Sequence, residues 1–178
     1  MSDCIKVLIS EEEIDKRIRE VASQISEMYR GEHVHMVCVL KGGVYFMTEL
    51  SKRIDPDVDV SIDFMSCSSY GDGTTSSGIV KITKDLDHSI EGKNVLIVED
   101  IIDSGRTLSY LMDTFMRDRN PKTLRLCTLL NKPSRREVEV KVDFTCFDVD
   151  DLFVVGYGLD FAQKYRNLPF IGVVETEE

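Results

Sequence analysis

The spacing of apolar residues predicts a helix over residues 11–29. Apolar side chains recur there at every third or fourth position, namely at Ile14, Ile18, Val21, Ile25 and Met28. Ser10 and Glu13 match the capping-box pattern that begins helices, and Gly31 is typical of a helix end. Two shorter helices are predicted over residues 44–53 and 108–117.

Short apolar runs between these helices predict strands. The runs at 34–40, 95–98 and 124–130 are apolar almost throughout, as expected of strands that are buried on both faces. Residues 57–64 alternate polar and apolar side chains, which predicts a half-exposed strand. Further short strands are predicted at 79–82, 144–147, 153–155 and 170–174. Because strands alternate with helices, the sequence predicts a single α/β domain with a mainly parallel sheet.

One segment of small polar residues interrupts this pattern. Residues 66–78 contain serine, threonine and glycine without any apolar period. A loop of that length inside a compact domain is usually a functional lid or a flexible connector.

The charge and the cysteines narrow the class of protein. The formal net charge is −10, which disfavours nucleic acid as a main partner. Because the protein is acidic, binding of an anionic ligand would require locally clustered cations or a metal ion. The five cysteines are odd in number and none form a CxxC pair, which indicates a reducing compartment. No signal-peptide pattern and no apolar run of membrane-spanning length is found. We therefore expect a soluble, cytoplasmic protein without a membrane partner.

The candidate chemistry lies directly after the strand at 95–98. Glu99 and Asp100 follow at its carboxyl end, the edge at which open α/β sheets bind ligands. The segment 103–107, Asp-Ser-Gly-Arg-Thr, then begins a helix, where small residues allow backbone N–H groups to surround a phosphate. The two carboxylates suit a sugar diol or Mg²⁺. Taken alone, segment 103–107 is equally consistent with an ordinary helix-capping turn, and no Walker A motif is present.

These motifs resemble those of a known family. Residues 95–108 resemble the phosphoribosyl-pyrophosphate signature of type I phosphoribosyltransferases, and the other motifs, from about Ile5 to Val174, resemble the 6-oxopurine branch, the hypoxanthine-guanine phosphoribosyltransferases. The resemblance implies the type I fold, in which helices flank a central, mainly parallel sheet. It also implies one domain over 1–178, with a small hood subdomain from about 1–10 and 150–178 and a mobile lid loop at 66–78.

The resemblance implies a role for each matching residue. Asp103 would be the catalytic acid or base at N7 of the purine. The other purine-binding residues would be Lys132 at O6, Phe153 by stacking and Val154 through its carbonyl. Glu99 and Asp100 would hold the ribose hydroxyls directly or through Mg²⁺, for which Asp160 would be a further ligand. Phosphoribosyl pyrophosphate would also contact Leu40, Lys41, Gly42, Ser69, Tyr70, Ser104, Gly105, Arg106, Thr107 and Arg166. Members of this family often have a cis peptide bond between the residues that match Leu40 and Lys41.

The implied reaction transfers the phosphoribosyl group to N9 of hypoxanthine or guanine, giving IMP or GMP and pyrophosphate. Mg²⁺ is the implied cofactor, and a homodimer or homotetramer is the implied assembly. Three alternatives are open: a receiver-type signalling domain, a non-catalytic RNA-binding regulator on the same fold, and a transferase for xanthine or a pyrimidine. Lys132 favours a 6-oxopurine because a 6-amino group would meet a second donor. By pattern alone, Phe153 is more typical of a core residue.

Overall fold

A computed structural model describes residues 4–69 and 80–175. The strands are β1 (Cys4–Ile9), β2 (His33–Leu40), β3 (Asp59–Ser69), β4 (Val80–Lys84), β5 (Asn94–Ile102), β6 (Thr123–Asn131), β7 (Phe144–Asp148), β8 (Val154–Val155) and β9 (Ile171–Glu175). The α-helices are α1 (Glu11–Tyr29), α2 (Val44–Ser51) and α3 (Arg106–Asp118), and a short 3₁₀ turn spans Pro133–Arg135. No helix within this part of the chain is long and apolar enough to cross a membrane.

The main sheet contains six strands in the order β4-β3-β2-β5-β6-β7. All neighbours are parallel except β4, which runs antiparallel to β3. One apolar core packs α1 and α2 against one face of this sheet, and a second core packs α3 against the other. The predicted α/β class, with a central and mainly parallel sheet flanked by helices, is confirmed.

A second, smaller sheet joins the two ends of the chain. It is antiparallel and has three strands in the order β1-β9-β8. The sequence did not predict β1 as a strand, because three consecutive side chains, Lys6, Val7 and Leu8, are exposed at this edge position and no alternation marks it.

The first helix forms as predicted. The backbone N–H of Glu13 donates to Ser10 Oγ at 3.2 Å, and the N–H of Ser10 donates to Glu13 Oε2 at 2.8 Å. This reciprocal pair satisfies two N–H groups that the helix leaves without an internal partner.

Two positions of β3 depart from the predicted alternation of buried apolar and exposed polar side chains. Ile62 is 51% exposed, whereas Asp63 is only 2% exposed. Asp63 is accommodated inside because its carboxylate accepts backbone N–H groups from Phe64, Asp87 and His88. The strand is also longer than predicted, since residues 66–69 are strand rather than loop; residues 70–79 lie outside the described part.

A buried polar cluster joins β2 to β3. Ser61 Oγ lies 2.8 Å from His33 Nε2 and 2.7 Å from His35 Nδ1. His35 and Asp63 are each 2% exposed, with 3.7 Å between His35 Nε2 and Asp63 Oδ2. Burial lowers the pKa of His35 below its ordinary value of 6.5, and Lys93 lowers it further.

This cluster predicts a pH-dependent stability. Below about pH 6.5 the unfolded chain binds a proton at His35 that the folded protein resists, so the free energy of unfolding decreases until the pH passes the lowered pKa. Urea unfolding from about pH 8 to about pH 5 measures this slope. His35→Gln should flatten it, whereas His88→Gln, at a side chain that is 73% exposed, should retain it. An unchanged slope in His35→Gln would contradict the assignment.

Candidate active site

The carboxyl ends of β2, β3, β5 and β6 meet at one edge of the main sheet. A cavity of about 320 Å³ opens there, at the edge where α/β sheets bind ligands. It brings together eight of the predicted site residues, namely Leu40, Gly42, Glu99, Asp100, Asp103, Ser104, Gly105 and Thr107. Cys67 also lines it; no sequence motif had singled out this residue.

Two adjacent carboxylates lie in the wall of this cavity. Glu99 Oε2 is buried and has no hydrogen-bond partner within the described residues. Burial raises the pKa of Glu99 well above its ordinary value, and the charge of Asp100 raises it further. Burial also raises the pKa of Asp100, although its carboxylate accepts the N–H of Ile101 at 2.7 Å. Such a pair favours a bound cation, which would compensate the buried negative charge.

The pair fits Mg²⁺ in its donor chemistry. Mg²⁺ prefers oxygen ligands and is often held by one or two carboxylates together with water and substrate phosphates. Across 4–69 and 80–175, no three His, Cys, Asp or Glu side chains come close enough to hold a metal ion by themselves. Asp160, the third predicted ligand, instead forms an ion pair with Arg166, with 2.8 Å between Oδ1 and Nη2.

The loop at 103–107 is built around a close backbone contact. Gly105 adopts a φ of +82°, and a Cβ there would lie 2.5 Å from the carbonyl oxygen of Val138. The carbonyl of Ser104 accepts the N–H groups of Glu137 and Val138, each at 3.0 Å. Gly105 is followed by the first turn of α3, whose first N–H groups have no partner within the helix and suit an anion.

The predicted purine-binding residues lie at the ends of β5, β6 and β8. Asp103 Oδ1 accepts a hydrogen bond from Arg135 Nε at 3.2 Å. Lys132 is only 7% exposed, and its Nζ donates to the Leu152 carbonyl at 2.7 Å. Its backbone N–H donates to the carbonyl of Ile102, the residue before Asp103, so β5 and β6 bring these two predicted residues close together.

Phe153 is a surface residue. Its side chain is 56% exposed, and its ring meets that of Phe161 edge-on, with 5.5 Å between centroids. The core role that its sequence pattern favoured is therefore wrong, and the ring is free to stack on a planar ligand. The next residue, Val154, is buried in β8.

The loop after β2 packs against the turn that contains Asp160 and Arg166. The Leu40–Lys41 peptide bond is cis. Lys41 Nζ donates to Gln163 Oε1 at 3.2 Å, and Arg166 Nη1 donates to the Gly158 carbonyl at 2.7 Å. Gln163 belongs to no motif and therefore could not be predicted as a contact of Lys41. Of the three remaining predicted residues, Arg106 begins α3, Ser69 ends β3 and Tyr70 lies outside the described part.

Gly158 makes the closest approach in this contact and provides a test of it. Its φ is +101°, and an added Cβ would lie 2.0 Å from the carbonyl oxygen of Gly42. We expect Gly158→Ala to lower the free energy of unfolding by roughly 2–5 kcal/mol through overlap and backbone strain. Gly92→Ala is the matched control, because Gly92 has a φ of +70° but open space around it, and should cost only about 1 kcal/mol. Equal losses by urea unfolding would contradict the contact.

The fold and the site together define an α/β protein with an acidic pair and a glycine-containing loop at the carboxyl edge of its main sheet. A family model described as the phosphoribosyl transferase domain matches residues 9–162. The hypoxanthine-guanine phosphoribosyltransferase of Bacillus subtilis is 53% identical over 173 residues, which cover 97% of this chain and 94% of that protein. A crystal structure of a hypoxanthine-guanine phosphoribosyltransferase from Bacillus anthracis has a TM-score of 0.91 at 49% identity, covering 97% of this chain and 100% of that one.

A longer type of relative is equally similar. The protein named "Bifunctional protein TilS/HprT" of Listeria monocytogenes is 53% identical over 176 residues, or 99% of this chain. The chain spans only 27% of the length of that relative. The chain belongs to the phosphoribosyltransferase family, which confirms the resemblance seen in the motifs and excludes the receiver-type alternative.

Proposed function

We propose that this protein transfers the phosphoribosyl group of phosphoribosyl pyrophosphate to N9 of a 6-oxopurine, hypoxanthine or guanine, releasing pyrophosphate. One observation carries the proposal: a single cavity joins the acidic pair, the 103–107 loop and Asp103, with Lys132 beside it. The names of the similar proteins from Bacillus agree with this activity.

The phosphorylated sugar occupies the cavity itself in this proposal. The hydroxyls of Ser104 and Thr107 and the first N–H groups of α3 bind the 5′-phosphate. Glu99 and Asp100 hold the ribose hydroxyls directly or through Mg²⁺. When bound, Mg²⁺ supplies positive charge that stabilises the pyrophosphate leaving group.

The pyrophosphate end lies where the 40–42 loop meets the turn at 158–166. The backbone of Leu40, Lys41 and Gly42 and the guanidinium of Arg166 bind the leaving group. Arg166 also forms an ion pair with Asp160. This ion pair neutralises the Asp160 carboxylate before the substrate binds.

The base is bound between the ends of β6 and β8. Phe153 stacks on the purine, the Val154 carbonyl contacts its edge, and the Lys132 ammonium donates to O6. As the bond from C1 to the pyrophosphate breaks, positive charge develops on the ribose ring, as in other glycosyl transfers. Asp103 accepts or returns the proton at N7 as the new bond forms at N9.

The remaining features follow from the same proposal. The predicted lid, of which residues 66–69 belong to β3 and the remainder lies outside the described part, would cover the sugar and exclude water. The whole chain, 1–178, acts as one domain, and the three-stranded sheet is the hood beside the base.

The protein works as a homodimer or homotetramer in the cytoplasm.

Product formation with phosphoribosyl pyrophosphate and Mg²⁺ tests this function, with hypoxanthine, guanine, xanthine, adenine and uracil assayed in parallel. We expect turnover with hypoxanthine or guanine and loss of turnover when Mg²⁺ is chelated. Preference for xanthine would replace hypoxanthine and guanine by another 6-oxopurine, whereas preference for adenine or uracil would overturn the 6-oxopurine assignment. No turnover with any base, from folded protein, would overturn the enzyme assignment and favour the RNA-binding regulator.

A further inference from the structure

The loop at 103–107 contains a cationic side chain, that of Arg106, which does not line the cavity. Asp103, Ser104, Gly105, Thr107 and Leu108 all line the cavity, whereas Arg106, in the middle of this run, is not among the described lining residues. A guanidinium is the side chain best suited to bind a phosphate. Its position outside the cavity therefore requires an explanation.

Glu137 accounts for the position of Arg106. Arg106 Nε donates to Glu137 Oε2 at 2.6 Å, and its Nη2 lies 2.5 Å from the same oxygen. Glu137 is itself fixed, because its backbone N–H donates to the Ser104 carbonyl at 3.0 Å. The residue that carries this carboxylate is thus hydrogen-bonded to the same loop that is proposed to bind the 5′-phosphate.

We propose that Glu137 restrains Arg106 and thereby lowers the affinity of the loop for a sugar 5′-phosphate. The inference rests on the proposed function only for the location of the phosphate site. With Glu137 in place, the site uses hydroxyl and backbone N–H donors, which bind a phosphate without a full positive charge. Removing the charge of Glu137 frees a cation one residue from the donors that line the cavity. Moderate affinity suits an enzyme that must release a phosphorylated product after each turnover.

Direct binding of ribose 5-phosphate to the full chain, measured by calorimetry, tests the proposal without requiring a purine or turnover. We expect Glu137→Gln to bind ribose 5-phosphate at least threefold more tightly than the wild-type protein. The gain should disappear in the double variant Glu137→Gln/Arg106→Gln. It should also weaken as salt is added, because it arises from a charge at an exposed site.

The control is Asp118→Asn, which frees Arg117 from an ion pair of 2.8 Å at the other end of α3. It removes the same charge from the protein, and we expect its affinity to equal that of the wild type. Glutamine retains the backbone N–H bond to Ser104, and urea unfolding verifies that each variant is folded. An affinity gain below threefold in Glu137→Gln, or a gain that persists in the double variant, would overturn the inference. Failure of the wild type to bind ribose 5-phosphate at all would instead overturn the proposed function.

Discussion

Replacing Asp103 with asparagine lowers turnover by about 10²–10⁴-fold, the usual contribution of a positioned acid or base. The amide is close in shape to the carboxylate, so it preserves the local packing, but it cannot accept the N7 proton. Asp103 lies in the cavity wall and is also exposed, so its carboxylate is accessible to a bound base. Affinity for the purine nucleotide product should change far less than turnover.

Arg135→Gln is the matched control for this variant. It removes the ion pair to Asp103, which has 3.2 Å between Nε and Oδ1, but leaves the carboxylate in place. If Asp103 acts on the proton, Arg135→Gln loses much less turnover than Asp103→Asn. Steady-state rates with the preferred purine and calorimetric binding of its 5′-monophosphate separate the two effects. Equal losses of turnover and product affinity in Asp103→Asn would rule out the role in proton transfer.

The sequence predicts those parts of the molecule that depend on local pattern. The capping box at Ser10 and Glu13 and the apolar period of α1 are both local, and the helix begins and ends where they indicate. The buried strand at 95–98 likewise placed Glu99 and Asp100 at the sheet edge, because side chains at the carboxyl ends of parallel strands converge. The resemblance of the motifs then supplied the candidate site, of which eight residues line one cavity.

Contacts between distant segments could not be predicted in this way. The alternation in β3 suggested an exposed Asp63, but the N–H groups of residues 87 and 88 that satisfy it belong to another segment. The approach of Gly158 to the Gly42 carbonyl and the exposure of Phe153 also depend on how the small sheet lies against the large one. The sequence around a glycine is the same whether or not another segment approaches it closely. The sequence around a phenylalanine is likewise the same whether its ring is buried or exposed.

Glu99 presents the strongest conflict between stability and function in the site. Its Oε2 has no hydrogen-bond partner in the described residues, and it lies beside a second carboxylate in a cavity wall. A buried polar atom without a partner costs roughly 1–3 kcal/mol, and a charged one costs more. We therefore expect Glu99→Gln to raise the free energy of unfolding of the metal-free protein by roughly 1–3 kcal/mol at about pH 8.

The gain in stability should depend on pH in a defined direction. Because the pKa of Glu99 is raised, the folded protein retains a proton that the unfolded chain releases above the ordinary value of 4.5. The contribution of Glu99 to the stability of the wild type therefore falls as pH rises above about 4.5, and the variant, which has no carboxyl group at this position, lacks that contribution. Urea unfolding in the presence of a chelator, from about pH 5 to about pH 8, measures the difference.

The same substitution should lower turnover by roughly a hundredfold or more, because the amide is a poorer partner for ribose hydroxyls and for Mg²⁺. Glu91→Gln, at an exposed glutamate after β4, should change neither quantity. Opposite changes in stability and turnover would show that the cavity keeps a destabilising carboxyl group because its ligand requires it. A variant that loses both stability and turnover would show instead that Glu99 stabilises the fold. That result would contradict the assignment of the acidic pair as a preformed site for ribose and Mg²⁺.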